Sequence, residues 1–553
     1  MILGYYDGNH CGFTERFKKG NVEIGGRHGL YRRAETWRKW CREAGVTVWL
    51  GAMGCGAKVE NGKIVEIEVA TEFGCGRVKG KCFIDATGNS DVAAAAGAET
   101  ELFSSREFAL QSAGLSPHRL GRGCINSDFG FLYDSSAADV WLFCVRARAG
   151  APNAWDIAQM PDSRERRRII PDYAVNAEDV AGHRGFPDTV VQALSRQDSH
   201  GYLVDEFRFV SSPSATSYET KKERRWKYTV NVPLRSLLPK GLSGLAVIGL
   251  GSGCARDVLP MIRMQADLMN MGYSVGTAAF LASRNGGEFR TIDLKELRER
   301  LVQLEILRPE VLSWIADEDV SSNFVVERAV KSIGGNFKGS HIVFREENRA
   351  RALPLLRAAY ENSSAPVERQ NYALMLGLLG DPSGAATLAK IVSGEMPIRG
   401  VTRAGAFGSQ HRFIDGFMVA LGRTKSDLAL KPLLERAESL EPGARVASVR
   451  GVCLALEELA DSRAAPTLAR CLMAEGNHGF SVSSLDALPP LGGYGLGPEM
   501  ENCIREIGFA RALLACGDCN GLARRTLQAY ANDPRKALAV HAKTILKHYD
   551  DVQ

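Results

Sequence analysis

Long hydrophobic runs are missing from this 553-residue chain. No apolar stretch approaches the roughly 18 residues that suggest a membrane-spanning helix, so no membrane segment is read. The opening Met1-Ile2-Leu3-Gly4-Tyr5-Tyr6-Asp7 has neither the basic segment nor the apolar core of a secretory leader. A surplus of one charge is missing too. A net charge of +5 is small for this length and gives no case for nucleic-acid or membrane binding. The thirteen cysteines are odd in number and lack framework spacing, as expected of reduced thiols in the cytoplasm. What remains is an ordinary globular composition, 45% hydrophobic and 24% charged, on a chain too long for one core.

What is present begins with Lys81-Cys82-Phe83-Ile84-Asp85-Ala86-Thr87-Gly88-Asn89-Ser90-Asp91. A short apolar strand (Cys82, Phe83, Ile84) stops at a small residue, turns at a glycine and enters an alanine-rich helix over 91–96. Gly88 has no side chain and tolerates positive φ, so backbone there can approach a ligand closely. A helix starting near Asp91 would aim unpaired N–H groups into the crevice, which suits a phosphate. Nucleotide sites of α/β sheets lie at the carboxyl ends of strands in this manner.

Around that turn, residues 1–100 read as an α/β domain. A helix runs from Tyr31 to Ala44, a β-rich run covers 46–50, and a hairpin turn at Asn61-Gly62 precedes a strand over 63–69. Residues 101–240 read as an inserted α+β segment, with polar loops at 134–138 and 211–218 and strands at 142–145 and 228–232. Residues 241–290 return to the first domain. They carry the strand Leu245-Ala246-Val247-Ile248, the loop Gly249-Leu250-Gly251-Ser252-Gly253, and helices over 258–271 and 274–283.

From 291 the pattern is helical, with a linker over 291–344 and a region over 345–553 in which one phrase recurs. Leu376-Gly377-Leu378-Leu379-Gly380-Asp381-Pro382 leads to Leu388. Leu456-Glu457-Glu458-Leu459-Ala460-Asp461-Ser462 leads to Leu468, and Leu513-Leu514-Ala515-Cys516-Gly517-Asp518 leads more loosely to Leu527. Helix, tight Gly/Ala-Asp turn, helix is the unit of a HEAT-like solenoid; an unrelated helical bundle is the alternative.

The two glycine passages form the first candidate site. Gly-x-Gly-x-Gly after a strand opens a dinucleotide fold when an acidic residue follows about 20 positions on. Here 270–282 is helical and rich in small residues. The loop is therefore read as lying against a cofactor bound elsewhere, or as a plain strand-to-helix turn. Asp257 is a candidate N-cap and Arg263 a candidate anion ligand, with an ordinary cap and ion pair as the alternatives. Cys516-x2-Cys519 has no third or fourth thiol nearby, so no metal site is read there. His10 and Cys11 would point to opposite faces of a strand. His411, His478 and His541 read as surface or core residues, and Lys221-Lys222-Glu223-Arg224-Arg225 as a solvated or anion-facing hairpin. No catalytic residue is singled out.

Together these features resemble the FAD-dependent oxidoreductase family whose best-known relative is the A-type polypeptide of heterodisulfide reductase. The resemblance covers 1–290. It is carried by Phe83 to Gly88 with Asp91 and Ala96-Gly97-Ala98, and by Val232-Pro233-Leu234-Arg235-Ser236-Leu237-Leu238-Pro239. The glycine loop and Arg263 with Gly272-x3-Gly276-Thr277-Ala278-Ala279 complete it. It implies an FAD/NAD(P)-binding three-layer fold with an inserted substrate domain. FAD would have its pyrophosphate near Ala86, Thr87, Gly88 and Asp91. Gly249, Gly251, Gly253, the helix after Asp257, and Arg263 would face the ribityl chain and flavin.

The implied activity is hydride or electron transfer to a small molecule or redox partner. Relatives of the A type hold [4Fe–4S] clusters with cysteine runs that this chain lacks. Family members also open with a strand, a GxGxxG turn, a helix and an acidic residue holding the ADP half of FAD. No such unit is read here, which implies an earlier start, a second polypeptide supplying it (a split flavoprotein), or loss of FAD. In the last case the helical repeats would make the chain a non-catalytic protein-binding module.

Overall fold

Asn61 (φ 50°) and Gly62 (φ 73°) both adopt the left-handed conformation of a two-residue hairpin turn. They join β1 (Met53–Glu60) to β2 (Lys63–Thr71), and β3 (Gly74–Lys79) completes an antiparallel meander. The structure, a computed structural model, describes residues 30–106, 108, 113–114, 130–150, 161–195, 228–317, 322–337, 339–398, 413–488, 490–491 and 498–552. The expectations placed on His10, Cys11, His411, 211–218 and 221–225 fall outside these residues.

Before the meander, α1 (Leu30–Glu43) stops at Gly45, with φ 68° and the Val46 N–H on the Cys41 carbonyl at 2.8 Å. That is a glycine C-cap. The strand expected over 46–50 does not form. Val46, Val48, Trp49 and Leu50 stand exposed and pair with no described strand.

β4 (Phe83–Asp85) and β11 (Leu245–Val247) lie side by side and parallel, with Phe83 opposite Leu245 and Asp85 opposite Val247. The chain between them forms α2 (Asp91–Ala95), β5 (Thr100–Glu101), β6 (Ala113–Gly114), α3 (Ala137–Gly150), β7 (Asp162–Ser163), β8 (Arg168–Ile169) and α4 (Ala177–Ala181). The antiparallel pair of β9 (Thr189–Ser195) and β10 (Tyr228–Pro233) follows. The strand expected over 142–145 is the middle of α3. A short apolar run fits either element, and here its flanks of Ala and Arg favour the helix.

After β11 come α5 (Leu259–Ile262), α6 (Gln265–Arg284) and α7 (Leu294–Gln303). The helix break expected near 272 falls earlier, at Arg263 and Met264, and α6 runs unbroken through Gly272 and Gly276. One small core surrounds the parallel pair (Ile64, Phe83, Val92, Leu245). A larger one joins β9 and β10 to α5, α6 and α7 through Val191, Val230, Met261, Met271 and Leu297.

The helical region comprises α8 (Asn323–Asn336), α9 (Ser340–Val343), α10 (Glu346–Asn362), α11 (Pro366–Leu378), α12 (Ala385–Ser393), α13 (Phe413–Arg423) and α14 (Asp427–Glu438). α15 (Val446–Leu459), α16 (Ala465–Met473), α17 (Pro498–Ala515), α18 (Leu522–Ala531) and α19 (Lys536–Val552) complete it. α11, α13, α15 and α17 pack in succession, and so do α12, α14 and α16, giving two layers.

The recurring phrase is a recurring turn. The chain after α11, α15 and α17 passes through left-handed Gly380 (φ 78°), Ala460 (φ 51°) and Gly517 (φ 101°). The aspartate that follows caps the next segment: Asp381 accepts from the Ser383 amide (3.0 Å), Asp461 from Arg463 (2.9 Å) and Asp518 from Ala523 (2.8 Å). Leu388, Leu468 and Leu527 then face the core, fully buried.

This core extends beyond the helical region. Phe108 belongs to it, and Phe103, Phe131 and Tyr133 pack on it. Arg106 pairs with Glu458 (2.8 Å), Arg146 with Glu499 (2.7 Å), and the Lys536 amide donates to Asp139 (3.0 Å). Residues 101–240 are thus divided, their first described part docking on the helical stack while Val190, Val191, Val230, Val232 and Leu238 join the β9–β10 core. Among the described residues no helix is long and apolar enough to cross a membrane.

Candidate functional site

The carboxyl ends of β4 and β11 lie at the same end of their two-stranded sheet, and each runs directly into a glycine turn. Gly88 (φ 77°) and Gly249 (φ 81°) both take left-handed backbone that strongly favours glycine. Among the described residues, a Cβ built on either would meet nothing within 4 Å. Open space therefore adjoins both turns, as a crevice for a ligand at the strand ends requires.

Most polar groups of the first turn are already committed. Asp85 is buried; its Oδ1 accepts from the Thr87 amide (2.9 Å) and hydroxyl (2.7 Å), and its Oδ2 from the Ala93 amide (2.9 Å). The Thr87 hydroxyl also accepts from the Asp91 amide (2.9 Å). Two amides at the start of α2 are thus bonded to the chain's own side chains, contrary to the expectation that they point free at a phosphate. The helix is also only five residues long. In the turn itself, the amides of Gly88, Asn89 and Ser90 donate to nothing among the described residues. Successive free amides in such a turn make an anion-binding concavity. Anion capacity lies in the turn rather than the helix.

The second turn packs on the first. Ser90 is buried, and its hydroxyl donates to the Gly251 carbonyl at 2.8 Å. A Cβ on Gly251 would fall 2.4 Å from that hydroxyl oxygen, so only glycine allows the two turns to meet. Gly253 is likewise forced, by Pro171 at 2.3 Å from its would-be Cβ. The Gly249 amide rests on the Met271 sulfur at 3.4 Å, which anchors the loop to α6. Cys254 ends the loop fully buried, and burial pushes its thiol up to about 12. It is a packing thiol rather than a nucleophile.

Asp257 and Arg263 are both buried, but not where a simple capping scheme puts them. α5 has Val258 at its N-cap position with no side-chain cap, and Arg263 closes its C-terminal end. Its four residues give it little dipole. The substantial helix is α6, and its first-turn Asp267 accepts from the Leu194 amide at 3.1 Å.

Sequence reading passed over the run Ser163-Arg164-Glu165-Arg166-Arg167-Arg168, which straps this site together. Glu165 pairs with Arg256, Arg166 with Asp134, and Arg167 with Asp91 at 2.6 Å. Arg168 donates to the Cys254 carbonyl and to Glu101, both at 3.1 Å. The available signal was three consecutive arginines entering an apolar Ile169-Ile170, since buried guanidinium groups need partners.

Among the described residues no group of three or more His, Cys, Asp or Glu could hold a metal. Cys516 is buried, its thiol donates to the Leu456 carbonyl at 3.4 Å, and burial raises it to about 12.

Residues 16–114 and 137–301 match the family model described as FAD dependent oxidoreductase. This part of the chain is similar to FAD-dependent oxidoreductases. The match spans both glycine turns, the arginine strap and α6. FAD is accordingly the cofactor that the family implies, and the open space beside both turns with the free amides of the first fits such a dinucleotide. No curated protein sequence matches the chain. One solved structure, human deoxyhypusine hydroxylase in complex with glycerol, is 17% identical over 51% of this chain and 96% of that one. Its TM-score of 0.17 is too low to equate the folds.

Proposed function

We propose that the chain is a flavin oxidoreductase of the heterodisulfide reductase A-like group, passing hydride or electrons through FAD to a small molecule or redox partner. The observation that carries this reading is the meeting of two glycine turns at the ends of adjacent parallel strands, with open space beside Gly88 and Gly249. Ala86, Thr87 and Gly88 would border the pyrophosphate, received by the free amides of 88–90. Asp91 would act through the turn rather than by touching the cofactor. Gly249, Gly251 and Gly253 would let the second loop lie flat against the remainder of FAD. Asp257 and Arg263 would support that loop from behind.

Bound FAD would supply the redox chemistry; the chain binds it, orients it and limits its contact with water. Cys254, held as a buried thiol, takes no part in our reading. The two-layer stack with its repeated Asp-capped turns supports a HEAT-like region, whose surface is the place for a protein partner.

The test is direct. The purified full chain is mixed with FAD, passed over a gel-filtration column and examined for flavin absorbance, then reduced and offered electron acceptors. Retained flavin that cycles between oxidised and reduced forms is the expected result. A chain that retains no FAD at saturating concentration refutes the reading.

A further inference from the structure

The turn after β4 contains a backbone that should not persist unaided. Ser90 is a non-glycine residue with φ 54° and ψ 38°, a left-handed conformation that is unfavourable for an L-residue. Such conformations survive only where surrounding contacts over-determine them. The contacts here come mainly from one residue outside the turn. The Arg167 amide donates to Asn89 Oδ1 (2.9 Å), its Nε to the Asn89 carbonyl (3.1 Å) and its Nη2 to Asp91 (2.6 Å). In return the Arg167 carbonyl lies 3.2 Å from the Ser90 hydroxyl, the same hydroxyl that bonds Gly251.

We propose that Arg167 is a positioning residue for the cofactor crevice: it clamps residues 88–91 so that the free amides of the turn and the second glycine loop hold a fixed relation. The cofactor part of this proposal rests on the flavin reading above. Geometry supports the role in three ways. Arg167 grips the turn on both sides of Ser90, at Asn89 and at Asp91. It uses the planar fork of the guanidinium, whose N–H donors reach a carbonyl and a carboxylate in fixed directions that a flexible ammonium does not pre-organise. Its neighbours Glu165, Arg166 and Arg168 bond to Arg256, Asp134 and Cys254, so the clamp is part of a strap anchored at three other places. The Arg167 side chain is 27% exposed and Asp91 44%. An ion pair that accessible adds little to global stability, which leaves local geometry as its main effect.

Arg167→Ala and Arg167→Lys, made in the full chain, test the proposal by two readouts. The first is amide hydrogen exchange over residues 86–93 without FAD. The second is FAD affinity, measured by quenching of its fluorescence. Losing these charge-assisted bonds in Arg167→Ala should speed exchange over 86–93 by about tenfold and weaken FAD by a similar factor, with thermal unfolding nearly unchanged. Arg167→Lys, which keeps the charge but loses the fork, should recover part of both. Unchanged exchange over 86–93 in Arg167→Ala overturns the clamp whether or not FAD binds. Faster exchange with unchanged FAD affinity overturns the cofactor role. Wild-type chain that takes up no FAD refutes the flavin reading instead, and is recognised as such because the exchange result stands apart from it.

Discussion

Two pairs of glycines, one in each half of this molecule, are used in opposite ways. At Gly88 and Gly249 an added Cβ would meet none of the described residues within 4 Å, and the backbone alone demands glycine through its positive φ. In the helical stack the backbone at Gly422 is ordinary helix, but an added Cβ would lie 2.0 Å from the Ala455 carbonyl oxygen. Gly377 is similar, with the Ala420 carbonyl at 2.8 Å. The first pair leaves room that the chain does not fill. The second pair surrenders room that the chain has already taken, letting α11, α13 and α15 approach backbone to backbone.

Substitutions at these glycines should therefore separate stability from binding. Gly422→Ala should have the largest effect. No side-chain rotation relieves a clash with backbone, so α13 and α15 must separate, at a cost of about 3 kcal/mol or more. Chemical denaturation should show this, with FAD affinity of the remaining folded protein unaltered. A fully stable Gly422→Ala chain would remove the contrast from the helical side. Gly251→Ala should come next and affect both properties, because its Cβ collides with Ser90 and drives the two turns apart. The expected loss is about 1–3 kcal/mol of stability together with most FAD binding.

Gly88→Ala and Gly249→Ala should do the reverse of Gly422→Ala. The left-handed backbone costs about 1–2 kcal/mol, a small change in melting temperature for a chain of this size. The methyl group would enter the space left open and lower FAD affinity by about tenfold or more. If these variants bind FAD as tightly as the parent chain while losing stability, the space beside the glycines is not the crevice.

This division explains what the sequence disclosed. Thr87-Gly88 and Gly249 could be read because a glycine directly after a strand is a local event, and the Asp-capped turns could be read because each spans only a few residues. The hairpin at Asn61-Gly62 was legible for the same reason. The run 142–145 was not, since four apolar residues fit a strand as well as the helix that tertiary packing selects. The α2 amides were misread because their partners, Asp85 and Thr87, are side chains in the preceding turn whose direction periodicity does not reveal. Arg167 stayed hidden for a stronger reason: its partners lie 76 and 78 residues away in the chain. No spacing rule connects them.

The boundary between the two halves supplies the smallest and most specific prediction. His541 on α19 is buried, stacked on Phe108 at 4.3 Å and edge-on to Phe103 at 6.3 Å. Its Nδ1 finds no hydrogen-bond partner among the described residues. Burial, with Arg511, Arg256 and Arg450 nearby, holds the imidazole well below its ordinary range, so it is neutral in the folded chain. The unfolded chain takes up this proton near pH 6.5. The native contribution is therefore complete above that pH and lost as pH falls below it, at up to about 1.4 kcal/mol per pH unit until the folded-state value is reached. His541→Leu keeps an apolar side chain against Phe108 and removes the titration. Between about pH 6.5 and 5.5, its melting temperature should decline less than that of the parent chain. Parallel decline in both would mean that the imidazole is not the group binding the proton, and that the seam between α19 and Phe108 is wetter than its packing indicates.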